Sequence, residues 1–190
     1  THWNGLTNLV VSNWTPRSSA SETRYWRSVC WSPELGLFVA VADGVVMTST
    51  NGINWTLRSV GTDNWQSVCW SPELGLFVAV ANSGTNRVMT SPDGINWTTR
   101  SAESNYWRSV CWSPKLGLFV AVADYGASSV ITSPDGINWT SRTAEASDWR
   151  SVCWSPELEL FVAVANSGTN RVMTSPDGIN WTSQSAAEAN

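Results

Sequence analysis

The chain has 190 residues, enough for one domain with a substantial core, and a formal net charge of -4 that gives nucleic acid or an anionic membrane no electrostatic hold. Its longest apolar runs are about six residues, as at 37–42, against roughly 20 for a membrane-spanning helix, and no basic-then-apolar leader opens it. Aromatic usage is lopsided, with 14 Trp beside three Tyr and four Phe.

Residues 1–24 come first. They hold the single His, His2, read as a solvated terminal residue. They also hold Ser12-Asn13-Trp14-Thr15-Pro16-Arg17-Ser18, which echoes Asn96-Trp97-Thr98-Thr99-Arg100-Ser101 further along. The segment reads as a last strand without its three predecessors, either a closing piece or a degenerate unit. From residue 25 to 190 the chain repeats itself four times. The string Ser-Val-Cys-Trp-Ser-Pro places its Trp at 31, 70, 112 and 154, spaced 39, 42 and 42. The string Gly-Ile-Asn-Trp-Thr places its Trp at 55, 97, 139 and 181, spaced 42 each time. The short first interval has a local cause: Asp43-Gly44-Val45 stands where the second repeat has the longer 82–87.

Each unit reads as four strands. In the second, 65–71 is the first, with Trp, Val and Trp among polar residues, and Pro72-Glu73-Leu74-Gly75 is a turn. Residues 76–81 are all apolar, as in a strand covered on both faces. A polar loop at 82–86 leads to a third strand at 87–91, and Pro92-Asp93-Gly94 turns the chain into a fourth at 95–101. Four short strands per 40-odd residues are the signature of a propeller blade, whose sheet buries both faces only by stacking against its neighbours. The predicted fold is all-β, a β-propeller of four-stranded antiparallel blades, with indole rings filling the wedges between them. Four complete blades are favoured. Two alternatives stay open: a fifth, degenerate N-terminal blade, or a ring closed by a second chain.

The strings around Ser91-Pro92-Asp93-Gly94-Ile95-Asn96-Trp97 resemble the Asp-box, or BNR, repeat of sialidase-like propellers in its short Ser-x-Asp-Gly-x-x-Trp variant. Copies recur at 133–139 and 175–181, and Asn51 replaces Asp in the first, at 49–55. The resemblance implies a structural job. Asn51, Asp93, Asp135 and Asp177 would clamp the turn between the third and fourth strands, and Trp55, Trp97, Trp139 and Trp181 would plug the blade beneath it. Elementary chemistry agrees, because an Asp or Asn side chain accepts backbone N–H bonds in its own turn and Gly tolerates positive φ.

A sialidase-type reaction would need an Arg cluster, a Tyr nucleophile and an acid/base pair in one asymmetric constellation. Here Arg27, Arg108 and Arg150 recur in register, with Gln66 as the fourth, so each serves its own blade. No nucleophile–base pair is legible, and the expectation is a protein without catalytic residues, metal or cofactor. Cys30, Cys69, Cys111 and Cys153 occupy one position per repeat, without zinc-ligand spacing, and read as small buried hydrophobes whose free thiols suit a reducing compartment such as the cytoplasm. Asn-Trp-Thr at Asn13, Asn54, Asn96, Asn138 and Asn180 matches a glycosylation sequon, but it reads better as the start of a fourth strand.

A non-enzymatic binding scaffold remains, a monomer or small homo-oligomer whose partner is a protein or a glycan. Protein interaction would use the loops that vary between repeats, at 43–44, 82–86, 124–128 and 166–170. A lectin-like alternative would use Trp26, Trp65, Trp107 and Trp149, all but Trp65 followed by Arg (Arg27, Arg108, Arg150), as a stacking face beside a forked donor. A third reading is a recently amplified or engineered repeat without a selected ligand, since residues 81–98 and 165–182 are identical.

Overall fold

The computed structural model describes residues 15–21, 23–125 and 128–185, which hold strands, turns and loops. The strands are β1 (Ser28–Ser32), β2 (Leu37–Ser49), β3 (Thr56–Ser71), β4 (Leu76–Ser83), β5 (Val88–Ser91), β6 (Thr98–Arg100), β7 (Tyr106–Ser113), β8 (Leu118–Asp124), β9 (Val130–Ser133), β10 (Thr140–Arg142), β11 (Trp149–Ser155), β12 (Leu160–Ala165), β13 (Val172–Ser175) and β14 (Thr182–Gln184). They form one six-stranded sheet, β1 to β6, and two four-stranded sheets, β7 to β10 and β11 to β14, with sequence neighbours paired antiparallel.

Two long elements conceal the repeat. Strand β2 pairs with β1 through Leu37 to Val41 and with β3 through Val45 to Thr48, with an irregularity between Asp43 and Val45 and a left-handed Gly44 at φ 69°. It therefore carries the second and third strands of the first blade, which β4 and β5 supply separately in the second. Strand β3 likewise carries the fourth strand of the first blade and the first strand of the second, since Trp65 to Ser71 pair with β4. Each repeat is thus one four-stranded meander, as the sequence predicts. One boundary is corrected. The expected fourth strand at 95–101 is shorter, Thr98–Arg100, because the Ile95 and Asn96 amides bond the Asp93 side chain instead of the ladder.

The core lies between blades. Val39, Val41 and Val46 of the first blade pack on Trp65, Val68, Trp70, Phe77 and Met89 of the second. Val78, Val80 and Val88 of the second then pack on Trp107, Val110, Trp112, Phe119 and Ile131 of the third, and the pattern recurs against the fourth. This explains the unbroken apolar second strand: alternate residues face the preceding and the following blade. Fully burying one such side chain stabilises by about 1.5–3 kcal/mol. Glycine in the Ser-Pro-Asp-Gly turn permits the close approach, since a Cβ on Gly94 would sit 2.8 Å from Val39 and 2.9 Å from Leu37 of the preceding blade.

Two polar contacts recur at each seam. The Val68, Val110 and Val152 amides donate to the Ser28, Ser67 and Ser109 hydroxyls of the preceding blade, each at 3.2 Å. The Trp70 and Trp112 indoles donate to Glu34 and Glu73 at 2.7 Å. The third seam departs from this rule. Lys115 replaces the glutamate and forms an ion pair with Glu159, and the buried Trp154 Nε1 is left without a partner. Glu159 occupies the turn position held by Gly36, Gly75 and Gly117, at φ 51°.

Among the described residues the two outer faces of the stack are uncovered. Val29 and Trp31 on the first blade are 59% and 42% exposed, whereas their equivalents Val68, Val110, Trp70 and Trp112 are buried. On the fourth blade Val164 is 44% exposed, whereas Val80 and Val122 are fully buried. The closing role expected of residues 1–24, and the reading of His2, Asn13 and Trp14, fall largely on residues 1–14, which lie outside the described residues.

Candidate functional site

The meander sorts the connections onto two faces. The turns after the first and third strands share one face. The loops between second and third strands share the other with the segments that lead into the next blade.

The turn face is nearly constant. The Ser91 hydroxyl accepts from the Gly94 amide at 2.8 Å and donates to Asp93 Oδ1 at 3.0 Å. Asp93 Oδ1 accepts from the Ile95 and Asn96 amides at 2.8 and 2.7 Å, and Oδ2 accepts from the Asn96 side chain at 2.8 Å. Trp97 Nε1 closes the motif on the Gly94 carbonyl at 3.1 Å. Asp135 and Asp177 repeat the arrangement. Asn51 bonds the Ile53 and Asn54 amides in the same way, at 2.9 Å each. Partial burial pushes the three carboxyls up, but the donors outweigh it and hold each at about 2. The four sequon-like asparagines within the described residues belong to these turns. Trp55, Trp97, Trp139 and Trp181 lie 6.2–6.3 Å from Phe38, Phe77, Phe119 and Phe161, beneath the turns.

The lectin-like residues are not arranged for sugar stacking. Trp65, Trp107 and Trp149 are fully buried, and Trp26 is half-buried. Trp107 and Trp149 donate their indole N–H to the Glu103 and Glu145 carbonyls at 2.9 Å, and Trp26 donates to the Ser21 carbonyl at 3.3 Å. These rings are wedges between blades. The residue after each of Trp65, Trp107 and Trp149 falls at a register shift, so Gln66, Arg108 and Arg150 bulge from the ladder.

Those bulges start a polar relay at the loop face. Arg108 donates to Gln66 Oε1 of the preceding blade at 3.2 Å and to Asp124 Oδ2 of its own at 2.6 Å. Arg150 of the following blade reaches the same Asp124 oxygen at 3.0 Å. Asp124 is 2% exposed, a buried carboxylate between two guanidiniums. Arg27 stands apart, its guanidinium 5.8 Å from the Tyr25 ring centroid. Loops and connectors are tied together nearby: the Thr85 amide donates to Asp63, the Asn105 side chain to the Ser128 carbonyl, and Asn170 to Glu145.

Sequence reasoning missed the tyrosines. Tyr25, Tyr106 and Tyr125 are all the tyrosines of the chain, and they are 74%, 54% and 65% exposed. Tyr25 precedes β1, Tyr106 opens β7 and Tyr125 follows β8, so all three lie at the loop face. The signal was present, because the equivalent positions in the second and fourth repeats are Asn64 and Asp148. Two hollows also open among the described residues. One, of about 400 Å³, lies between the third and fourth blades, lined by Ser141, Arg142, Thr143, Ile179, Asn180 and Trp181. The other, about 350 Å³, lies on the open face of the first blade, against Trp26, Val29, Ala40, Met47 and Trp55. The four cysteines are free. Burial pushes the Cys30 thiol up to about 11 and holds those of Cys69 and Cys111 well above the ordinary thiol range.

No family model matches the chain, and no curated protein matches it in sequence. Solved structures do resemble it. A chain of the nidogen–laminin complex superposes with a TM-score of 0.66 at 12% identity over 86% of this chain, which spans 65% of that chain. The computationally designed Ika4 protein gives 0.59 at 14% identity, covering 82% of this chain and 94% of its own. The designed Ika8 protein gives 0.60 at 14% identity, covering 85% of this chain and 49% of its own. At such identities the likeness is one of fold. This chain is a β-propeller of four-stranded blades.

Proposed function

We propose that this propeller is a non-enzymatic scaffold that binds a protein through its loop face. The observation that carries the reading is the exposure of all three tyrosines there, with Tyr25 beside the Arg24–Asp43 bond and Tyr106 beside the Asn105–Ser128 bond. Tyrosine buries a large, rigid, amphipathic surface at low entropic cost, and it is enriched at protein interfaces. The Arg108–Asp124–Arg150 relay supports a non-catalytic role, because the guanidiniums are already bound to a carboxylate. Asp93, Asp135 and Asp177 on the turn face serve their own backbone. That turn geometry also favours grouping the repeat with the Asp-box repeats.

The test is capture from a lysate of the source cells by immobilised wild type and by Y25A/Y106A/Y125A, whose exposed positions leave stability unchanged. A Tyr hot spot is worth about 2 kcal/mol, roughly thirtyfold in affinity. Proteins held by the wild type and released by the triple variant support the reading. Equal retention by both removes it. A second reading, glycan binding, is favoured by one observation, the polar hollow beside Trp181, Arg142 and Asn180. Glycan-array binding lost in R142A would move the function there.

A further inference from the structure

Each internal seam joins a front, made by the second and third strands of one blade, to a back, made by the first and second strands of the next. Three seams use three fronts and three backs. One of each is left over, and the two are matching halves of the same joint. The spare front carries Val162, Val164 and Val172, equivalents of the fully buried Val78, Val80 and Val88. The spare back carries Val29 and Trp31 with the hollow beside Trp26, Ala40 and Met47, where the second blade seats Val39, Val41 and Val46.

The polar contacts are also left as halves. Ser151 is the fourth of the series in which Ser28, Ser67 and Ser109 accept the next blade's valine amide. Val29 is the fourth of the series Val68, Val110 and Val152 that supplies it. Glu157 stands where Glu34 and Glu73 accept an indole N–H, and Trp31 stands where Trp70 and Trp112 donate one. Gly52 has the Phe38 ring as its nearest neighbour, at 3.7 Å, whereas Gly94, Gly136 and Gly178 press on the preceding blade. Cys153 is exposed, whereas Cys69 and Cys111 are shielded by the blade that follows.

We propose that the front of the fourth blade docks on the back of the first blade of a second copy of this chain, head to tail, so that two copies close one ring through two equivalent seams. A second copy fits because the two faces complement each other and neither complements itself. Front on front would set valine against valine with no amide donor for the Ser151 hydroxyl, and back on back would oppose two indole donors. Within one chain the two faces stay uncovered among the described residues, with Val29 and Val164 59% and 44% exposed, so a pair is the smallest assembly of separate copies that closes such a contact, and closure leaves no sticky edge.

Sedimentation of the full chain should give twice the monomer mass at micromolar concentration. V164E on the front and V29E on the back sit at exposed positions, so each variant folds and each alone should sediment as a monomer. Mixed together they should form a 1:1 complex, since the intact back of V164E meets the intact front of V29E. Alkylation of Cys153 should slow by about tenfold on association, because its thiol leaves solvent. Three results would overturn the proposal: a wild-type monomer with reactive Cys153, a monomer with protected Cys153, which means closure within one chain, or dimers formed by either glutamate variant alone.

Discussion

The third seam allows a direct test of the packing logic. The double variant K115E/E159G would give it the contacts of the other two. The carboxylate introduced at position 115 would supply the acceptor that Trp154 Nε1 lacks, and such a charge-assisted bond to a buried donor is worth about 1.5 kcal/mol net. Glycine at position 159 would relieve a left-handed glutamate at φ 51°, about 1–2 kcal/mol in the folded chain, of which the greater freedom of unfolded glycine returns about 0.4–1 kcal/mol. The lost ion pair joins side chains that are 51% and 56% exposed, and such pairs contribute about 0–1 kcal/mol. The net expectation is a gain of about 1.5 kcal/mol. Equilibrium urea unfolding followed by Trp fluorescence measures it. K115E alone should gain little, because its new carboxylate faces Glu159, and the two changes should couple by about 1 kcal/mol or more. A double variant no more stable than wild type, or strict additivity, would refute the seam as drawn.

Acid should loosen the turn face. Asp93, Asp135 and Asp177 are held at about 2, below the ordinary carboxylate near 3.9. Their stabilisation is therefore complete above about pH 4 and disappears as pH falls through about 2, on the order of 1 kcal/mol each after solvent screening. Urea midpoints from pH 5 to pH 2 should fall less steeply in D93N/D135N/D177N, and an unchanged slope would exclude the clamps as the cause. S91A leaves the buried Gly94 amide unpaired and should cost about 1–3 kcal/mol, whereas D93N, which copies Asn51, should cost under about 1 kcal/mol. Equal losses in thermal unfolding would contradict that ranking. W107F removes a bond to the Glu103 carbonyl and part of a buried ring, and should cost about 2–4 kcal/mol in the same assay.

The blade was legible because its strands are repeated and their pattern is local. The unbroken run at 76–81 announced a strand covered on both sides, and Val78 and Phe77 do face opposite blades. The turn clamps were legible for the same reason, since Ser91, Asp93 and Asn96 lie within six residues. The candidate site was read less well. Trp65, Trp107 and Trp149 were given two roles, wedge and sugar platform, and only burial separates them. Whether a Trp at the start of a strand faces solvent depends on the neighbouring blade, a contact some 40 residues away in sequence. Asp124 was read as a loop residue, although it joins Arg108 to Arg150 across a seam. Position gave no hint of this, because one partner lies 16 residues back and the other in the next repeat.

Near-identical blades pose a sorting problem for a folding chain. If one unit is skipped, the fourth blade meets the second through almost the same valines and indoles, and the error is trapped in a well-packed form. Lys115 and Glu159 mark the right neighbour. Set on the second blade, Glu159 would stand beside Glu73 and be repelled; set on the third, it meets Lys115. A contact that adds little to the finished structure thus sets the correct order of blades apart from the wrong one by the sign of a single charge.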